Sequence, residues 1–133
     1  MQGYREIIES VPYALQLGVQ IIDSNDSGAL FELAPADRFI GNPMLRAFHG
    51  GIICGLMECS MAATVMRFTE LKLPPSLITQ TTSFLKSASV DLPVRVRTEM
   101  TKTGMRICGV SARAFQNEDG TYVAKCSSLY RVG

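Results

Sequence analysis

The sequence predicts an α+β fold in which an antiparallel sheet wraps around one long helix. Three observations carry this expectation. From Gly51 to about Leu71, Ile52, Ile53, Leu56, Met57, Ser60, Ala63 and Thr64 keep helical spacing while the other faces are apolar too, as in a helix covered on most sides. Two strand-like segments precede this stretch, and strands make up the chain after Pro74-Pro75. A helix that is apolar all round needs a sheet curved around it. At 133 residues the chain reads as a single domain spanning residues 1–133, long enough to bury a core.

Each element has its own signal. Gly3 to Ser10 reads as a short amphipathic helix with Tyr4, Ile7 and Ile8 on one side. Pro12 stops it or begins a second turn. Gly18 to Asp23 reads as a strand. Ser24-Asn25-Asp26-Ser27-Gly28 is a dense turn signal, and Ala29 to Leu33 returns as the second strand of a hairpin. Ala34 to Phe48 holds two prolines and a glycine with little periodicity, which predicts a long loop of the kind that often carries function. After the long helix come strands at Leu77–Lys86, Val94–Thr101, Met105–Phe115 and Tyr122–Val132. Turns at Lys102-Thr103-Gly104 and Asn117-Glu118-Asp119-Gly120 separate the later ones, so these four strands are expected to form a meander. Thr79, Thr81 and Ser83 share one face of the first.

Composition narrows the function classes. The chain is 47% hydrophobic and 19% charged with a net charge of +1, so nothing electrostatic points to nucleic acid. The densest cationic group, Arg95, Arg97, Lys102 and Arg106, reads as solvated strand edges. Cys54, Cys59, Cys108 and Cys126 form no C-x-x-C pair and lack histidine at metal spacing, so no metal site is expected and all four read as reduced core residues. The N-terminus lacks the basic region and apolar run of a signal peptide, which sets the expectation of a cytoplasmic protein. Ala47 to Met66 approaches a membrane span in length. It contains three glycines, Glu58 and Ser60, and a buried helix in a soluble protein is the expectation.

The chemistry concentrates at Phe48-His49-Gly50-Gly51 and the helix behind it. Between Ala47 and Met66 the only charged side chain other than His49 is Glu58. An unpaired carboxylate in an apolar helix is costly to bury, so it is either used in chemistry or paired with a cation such as Arg46. Ser60 is expected to bond back to the preceding helical turn. Met57, Met61 and Met66 read as core or interface filler.

The order of elements, with His49-Gly50-Gly51 and, after six intervening residues, Glu58, resembles the hotdog-fold acyl-CoA thioesterases of the phenylacetate-degradation (PaaI-like) type. Asn42 matches the family's asparagine before the histidine, although it lies one residue farther from it than in many relatives. Phe84-Leu85-Lys86-Ser87-Ala88 resembles the family's aromatic-Leu-Arg-Pro-Ala segment, and Thr103-Gly104-Met105-Arg106 its glycine turn with a basic residue. The family often has Asp where this chain has Glu58. Thr79 and Thr81 stand where relatives often carry acidic or amide residues.

The resemblance implies hydrolysis of an acyl-CoA to free acid and coenzyme A. Glu58 would be nucleophile or general base, the Gly50 N–H the oxyanion donor, and Asn42 and His49 supporting residues, His49 chiefly by shaping the loop that presents Gly50. Gly51, Thr79, Thr81, Lys86 and Arg106 would contact substrate, the two cations through coenzyme A phosphates. No separate cofactor is implied, since coenzyme A belongs to the substrate. Gly50 and Glu58 lie about 12 Å apart along one helix, too far to meet at one carbonyl. The family pairs two subunits so that Gly50 of one faces Glu58 of the other, which implies a homodimer with active sites at the interface, and a tetramer as a further assembly. Neither nucleic acid nor membrane is an expected partner. A non-catalytic acyl-CoA binding or sensing module on the same fold is the alternative. A hydratase would need a distinct Asp/His pair, and the sole histidine is already used.

Overall fold

The computed structural model describes residues 2–71 and 74–133. The chain begins with helix α1 (Gln2–Ser10) and a short α2 (Pro12–Leu17). Gly18 ends α2 in the left-handed conformation (φ 86°), with its N–H bonded to the carbonyls of Ala14 and Leu15. Strands β1 (Gln20–Ser24) and β2 (Ala29–Leu33) form the expected hairpin. At its turn the Asn25 side chain accepts from the N–H groups of Ser27 and Gly28.

The segment read as a plain loop holds more structure. A 3-10 turn (Asp37–Phe39) leads into β3 (Ile40–Asn42), which pairs with β4 (Ala47–Phe48). Phe39 and Phe48 stack at 5.9 Å between centroids, pinning this small hairpin to the core. Strands of two and three residues are too short to show period-two patterning, so the sequence gives no sign of them.

Helix α3 (Gly50–Thr69) is the central helix. It is long and apolar enough to cross a membrane, but half of its most apolar window is buried within this fold. It packs on the concave face of a six-stranded antiparallel sheet completed by β5 (Ser76–Phe84), β6 (Val94–Thr103), β7 (Ile107–Phe115) and β8 (Ala124–Arg131), in the order β1-β2-β6-β7-β8-β5. Leu56, Met57, Met61 and Val65 are fully buried against Val94, Val96, Val110 and Ala112. α1 closes the far side of the helix, with Tyr4 edge-on to Phe31. Ser60 Oγ donates to the Leu56 carbonyl at 2.7 Å, as expected.

The meander expectation needs correction. β6, β7 and β8 form a meander, but β5 pairs with β8 at the opposite edge. Residues 85–93 carry the chain from β5 across to β6, whereas the three-residue turn 104–106 forces β7 beside β6 and the connection 116–123 returns β8 beside β7. β5 is therefore an edge strand, and most of its residues are exposed.

Candidate active site

His49 caps α3. Its backbone is extended (φ −62°, ψ 133°), and its Nδ1 accepts the Gly51 N–H at 2.8 Å. The His49 carbonyl takes the Ile52 and Ile53 N–H groups, at 2.9 and 3.3 Å. Among the described residues, the Gly50 N–H meets no acceptor of this chain. A helix start leaves such N–H groups unpartnered and favours negative charge there. His49 thus ties back one donor and leaves the preceding one open.

The surroundings hold this arrangement in place. The His49 N–H donates to the Phe39 carbonyl and the Phe48 N–H to the Ala88 carbonyl, both at 2.8 Å. A Cβ on Gly41 would lie 2.5 Å from His49 Cα, so only glycine lets β3 pass this close. A Cβ on Gly51 would lie 3.0 Å from His49 Nδ1, so glycine also clears the capping ring. Gly41 was missing from the candidates because nothing in sequence shows which backbone it will cross.

Asn42 sits on β3 but turns into its own loop, where Oδ1 accepts the Met44 N–H at 3.0 Å. It shapes the hairpin that carries His49. Arg46, the cation considered as a partner for Glu58, instead bridges Asp37 at 3.0 Å and Asp91 at 2.9 Å.

Glu58 lies two turns into α3, half-buried. Among the described residues its carboxylate has no hydrogen-bond or ion-pair partner. Burial raises its pKa above the ordinary carboxylate value. Its main-chain carbonyl accepts from the Tyr130 hydroxyl at 3.3 Å. Burial, and next the Glu58 charge, push the Cys59 thiol up to about 12, so Cys59 stays protonated.

Thr79 and Thr81 do not face the helix. Gln80 Nε2 donates to Cys54 Sγ at 3.1 Å, and the Thr82 hydroxyl lies 3.8 Å from the same sulfur. Alternation then turns Thr79 and Thr81 to the outer face of the sheet. The polar groups of β5 beside α3 are an amide and a hydroxyl one position further on, and Cys54 is a half-exposed, hydrogen-bonded thiol one turn before Glu58.

Gly50 opens onto a cleft of about 320 Å³ lined by Phe48, Ile53, Phe84, Lys86 and Val123. Lys86 Nζ reaches Thr121 Oγ1 at 3.2 Å on the cleft rim. Arg106 lies at the other end of the sheet, where its carbonyl accepts the Val132 N–H, so within one chain it does not join Gly50. A second hollow, of about 270 Å³ between Arg97 and Tyr122, contains none of these residues. No cluster of His, Cys, Asp or Glu among the described residues could hold a metal ion.

Tyr13 also escaped the sequence reading. Its ring lies on Gly55 of α3, so close that a Cβ there would be 2.5 Å from the phenol oxygen. Burial, and after it the electrostatic influence of neighbours that include the Glu58 carboxylate, raises its pKa.

The central helix and the sheet wrapped around it define the hotdog fold of the thioesterase superfamily. A thioesterase-superfamily protein of known structure superimposes with a TM-score of 0.89 at 20% identity, covering 99% of this chain and 97% of that one. A phenylacetic acid degradation-related putative thioesterase from Ralstonia eutropha gives 0.81 at 22%, covering 97% and 98%. Zebra fish thioesterase superfamily member 2 gives 0.82 at 15%, covering 99% and 94%. At these identities the likeness is one of fold. The family model described as the acyl-CoA thioesterase N-terminal domain matches residues 41–130, and the chain belongs to that family. No functionally curated protein matches it.

Proposed function

We propose that this chain hydrolyses an acyl-CoA thioester, with water, to a free acid and coenzyme A, at a site shared by two copies of the chain. The observation that carries this reading is Glu58: a desolvated carboxylate without a partner among the described residues, on the helix whose first open N–H is aimed by His49. The Gly50 N–H would stabilise the oxyanion of the thioester carbonyl. Glu58 would attack that carbonyl or take the proton of an attacking water. The thiolate of coenzyme A is a good leaving group, so the site needs no strong acid. Gln80 and Thr82, rather than Thr79 and Thr81, are the β5 groups that could orient water beside Glu58.

The two halves of this chemistry lie about 12 Å apart on one helix. The β5 edge supports bringing them together between two copies. It is long, unpaired in one chain, and carries exposed Leu77, Ile78 and Phe84, a surface suited to strand pairing. Gly50 lies beside Phe84 at one end of β5, and Cys54 beside Gln80 near its middle. Antiparallel pairing of two β5 strands would carry the Gly50 end of one copy toward the Glu58 stretch of the other. Lys86 lines the Gly50 cleft and would meet coenzyme A phosphate. A cytoplasmic location, and a tetramer built from two dimers, complete the proposal.

Thiol release measured across a panel of acyl-CoAs tests it. The reading requires turnover of at least one acyl-CoA. Tight binding of acyl-CoA with no turnover of any would make the chain a binding module instead.

A further inference from the structure

The helix around Glu58 has different neighbours on its two sides. At about 3.6 residues per turn, the Glu58 side chain projects between those of Cys54 and Gly55. The Cys54 side is closed by Gln80 of β5, whose amide donates to the sulfur. The Gly55 side is closed by the ring of Tyr13 from α2, held against the helix because Gly55 has no side chain. Gly51, Gly55 and Ala62 lie on the same side of α3 as Glu58. These small residues leave the Tyr13 ring as the bulky group next to this side of the helix. Tyr13 is 45% exposed, so it is not core filler. Among the described residues its hydroxyl has no hydrogen-bond partner.

We infer that Tyr13 is a specificity-determining residue: its ring bounds the acyl pocket beside Glu58 and limits the length of acyl chain the site accepts. This rests on the thioesterase reading and extends it to a substrate class, short or compact acyl groups over long ones. A chain extending from a carbonyl near Glu58 toward Gly55 would meet the ring, which lies against the helix there. Removing the ring would uncover the Gly55 stretch of α3, against which further methylenes could lie.

The test is kcat/KM for thiol release from acetyl-CoA through palmitoyl-CoA, for the wild type, Tyr13→Ala, Tyr13→Phe and Gly55→Ala. In Tyr13→Ala, the ratio of long-chain to short-chain kcat/KM should rise by about tenfold or more, the amount two further buried methylenes supply. Tyr13→Phe should keep the wild-type order of preference, because the ring and not the hydroxyl forms the wall. Gly55→Ala, whose Cβ displaces the phenol end of the ring, should shift the ratio in the same direction as Tyr13→Ala and add nothing once the ring is gone. A wild-type enzyme that turns over while Tyr13→Ala and Gly55→Ala keep its profile overturns the inference alone. So does Tyr13→Phe shifting the profile as far as Tyr13→Ala. A wild type with no turnover of any acyl-CoA overturns the thioesterase reading and this inference with it.

Discussion

Replacing His49 separates the cap from the rest of the site. In His49→Ala the Gly51 N–H loses its 2.8 Å acceptor, and α3 begins without a side-chain cap. Loss of an N-cap costs about 1 kcal/mol, which lowers the melting temperature of a domain this size by roughly 3–6 °C. The chemical effect should be larger than the thermal one. The first turn of α3 aims the Gly50 N–H, and losing one oxyanion donor outright costs about 10²–10³ in kcat. A donor that is loosened rather than removed should cost about tenfold or more. His49→Asn keeps a side-chain acceptor suited to an N-cap and should recover most of both losses. The assays are thermal unfolding by circular dichroism and kcat for thiol release, on all three proteins. An Asn variant as impaired as the Ala variant would refute the reasoning, because the ring would then be needed for more than accepting one N–H. An Ala variant with unchanged melting temperature and kcat would refute it more simply.

Other consequences follow from the same geometry. Gly41→Ala places a Cβ 2.5 Å from the His49 backbone, so it should destabilise by about 2 kcal/mol or more and impair turnover through the displaced cap; a melting curve matching the wild type would contradict this. Burial raises the Glu58 pKa, so activity should fall as pH drops through an apparent pKa above the ordinary carboxylate value. Protonated imidazole cannot accept the Gly51 N–H, so this limb is measured in a His49→Asn background, and its disappearance there would reassign it to His49. Stability runs the other way. A carboxyl group with a raised folded-state pKa contributes most below its unfolded pKa, and that contribution is lost as pH rises through the folded value. Glu58→Gln should therefore melt higher than the wild type at pH 8 and show little gain at pH 4. Mixing Glu58→Gln chains with Gly41→Ala chains should restore activity through hybrid sites that join an intact Glu58 to an intact Gly50, and a fully active monomer would exclude the shared site.

Legibility in the sequence followed patterning. Helix α3 was plain because its residues are apolar through five turns and interrupted by one carboxylate. The β1–β2 hairpin was plain because Asn25 and Gly28 write its turn. The parity of β5 was not. Ser76 to Phe84 is polar on both faces, an edge strand with no core side to betray its alternation, so pairing with β8 and the irregularity at Ile78 decide that Gln80 and Thr82 face the helix. The position of β5 beside β8 was equally hidden, since turn signals mark where strands end and not which edge a longer connection reaches. His49, Gly50 and Glu58 stood out through chemistry that is local in sequence. Gly41 and Tyr13 did not, because each matters through a contact with a chain segment that folding brings to it. Arg46 was weighed as a partner for Glu58, yet it is held by Asp37 and Asp91, two carboxylates on segments far apart in the chain.

The central claim is that the Glu58 carboxylate does the chemistry, and Glu58→Gln tests it most directly. The substitution keeps the size of the side chain and removes its charge. Turnover of the best acyl-CoA should fall by roughly two orders of magnitude or more, while the folded protein still binds that acyl-CoA. Near-normal turnover in a folded Glu58→Gln protein would contradict the account, and the reacting group would then have to be sought elsewhere in the site.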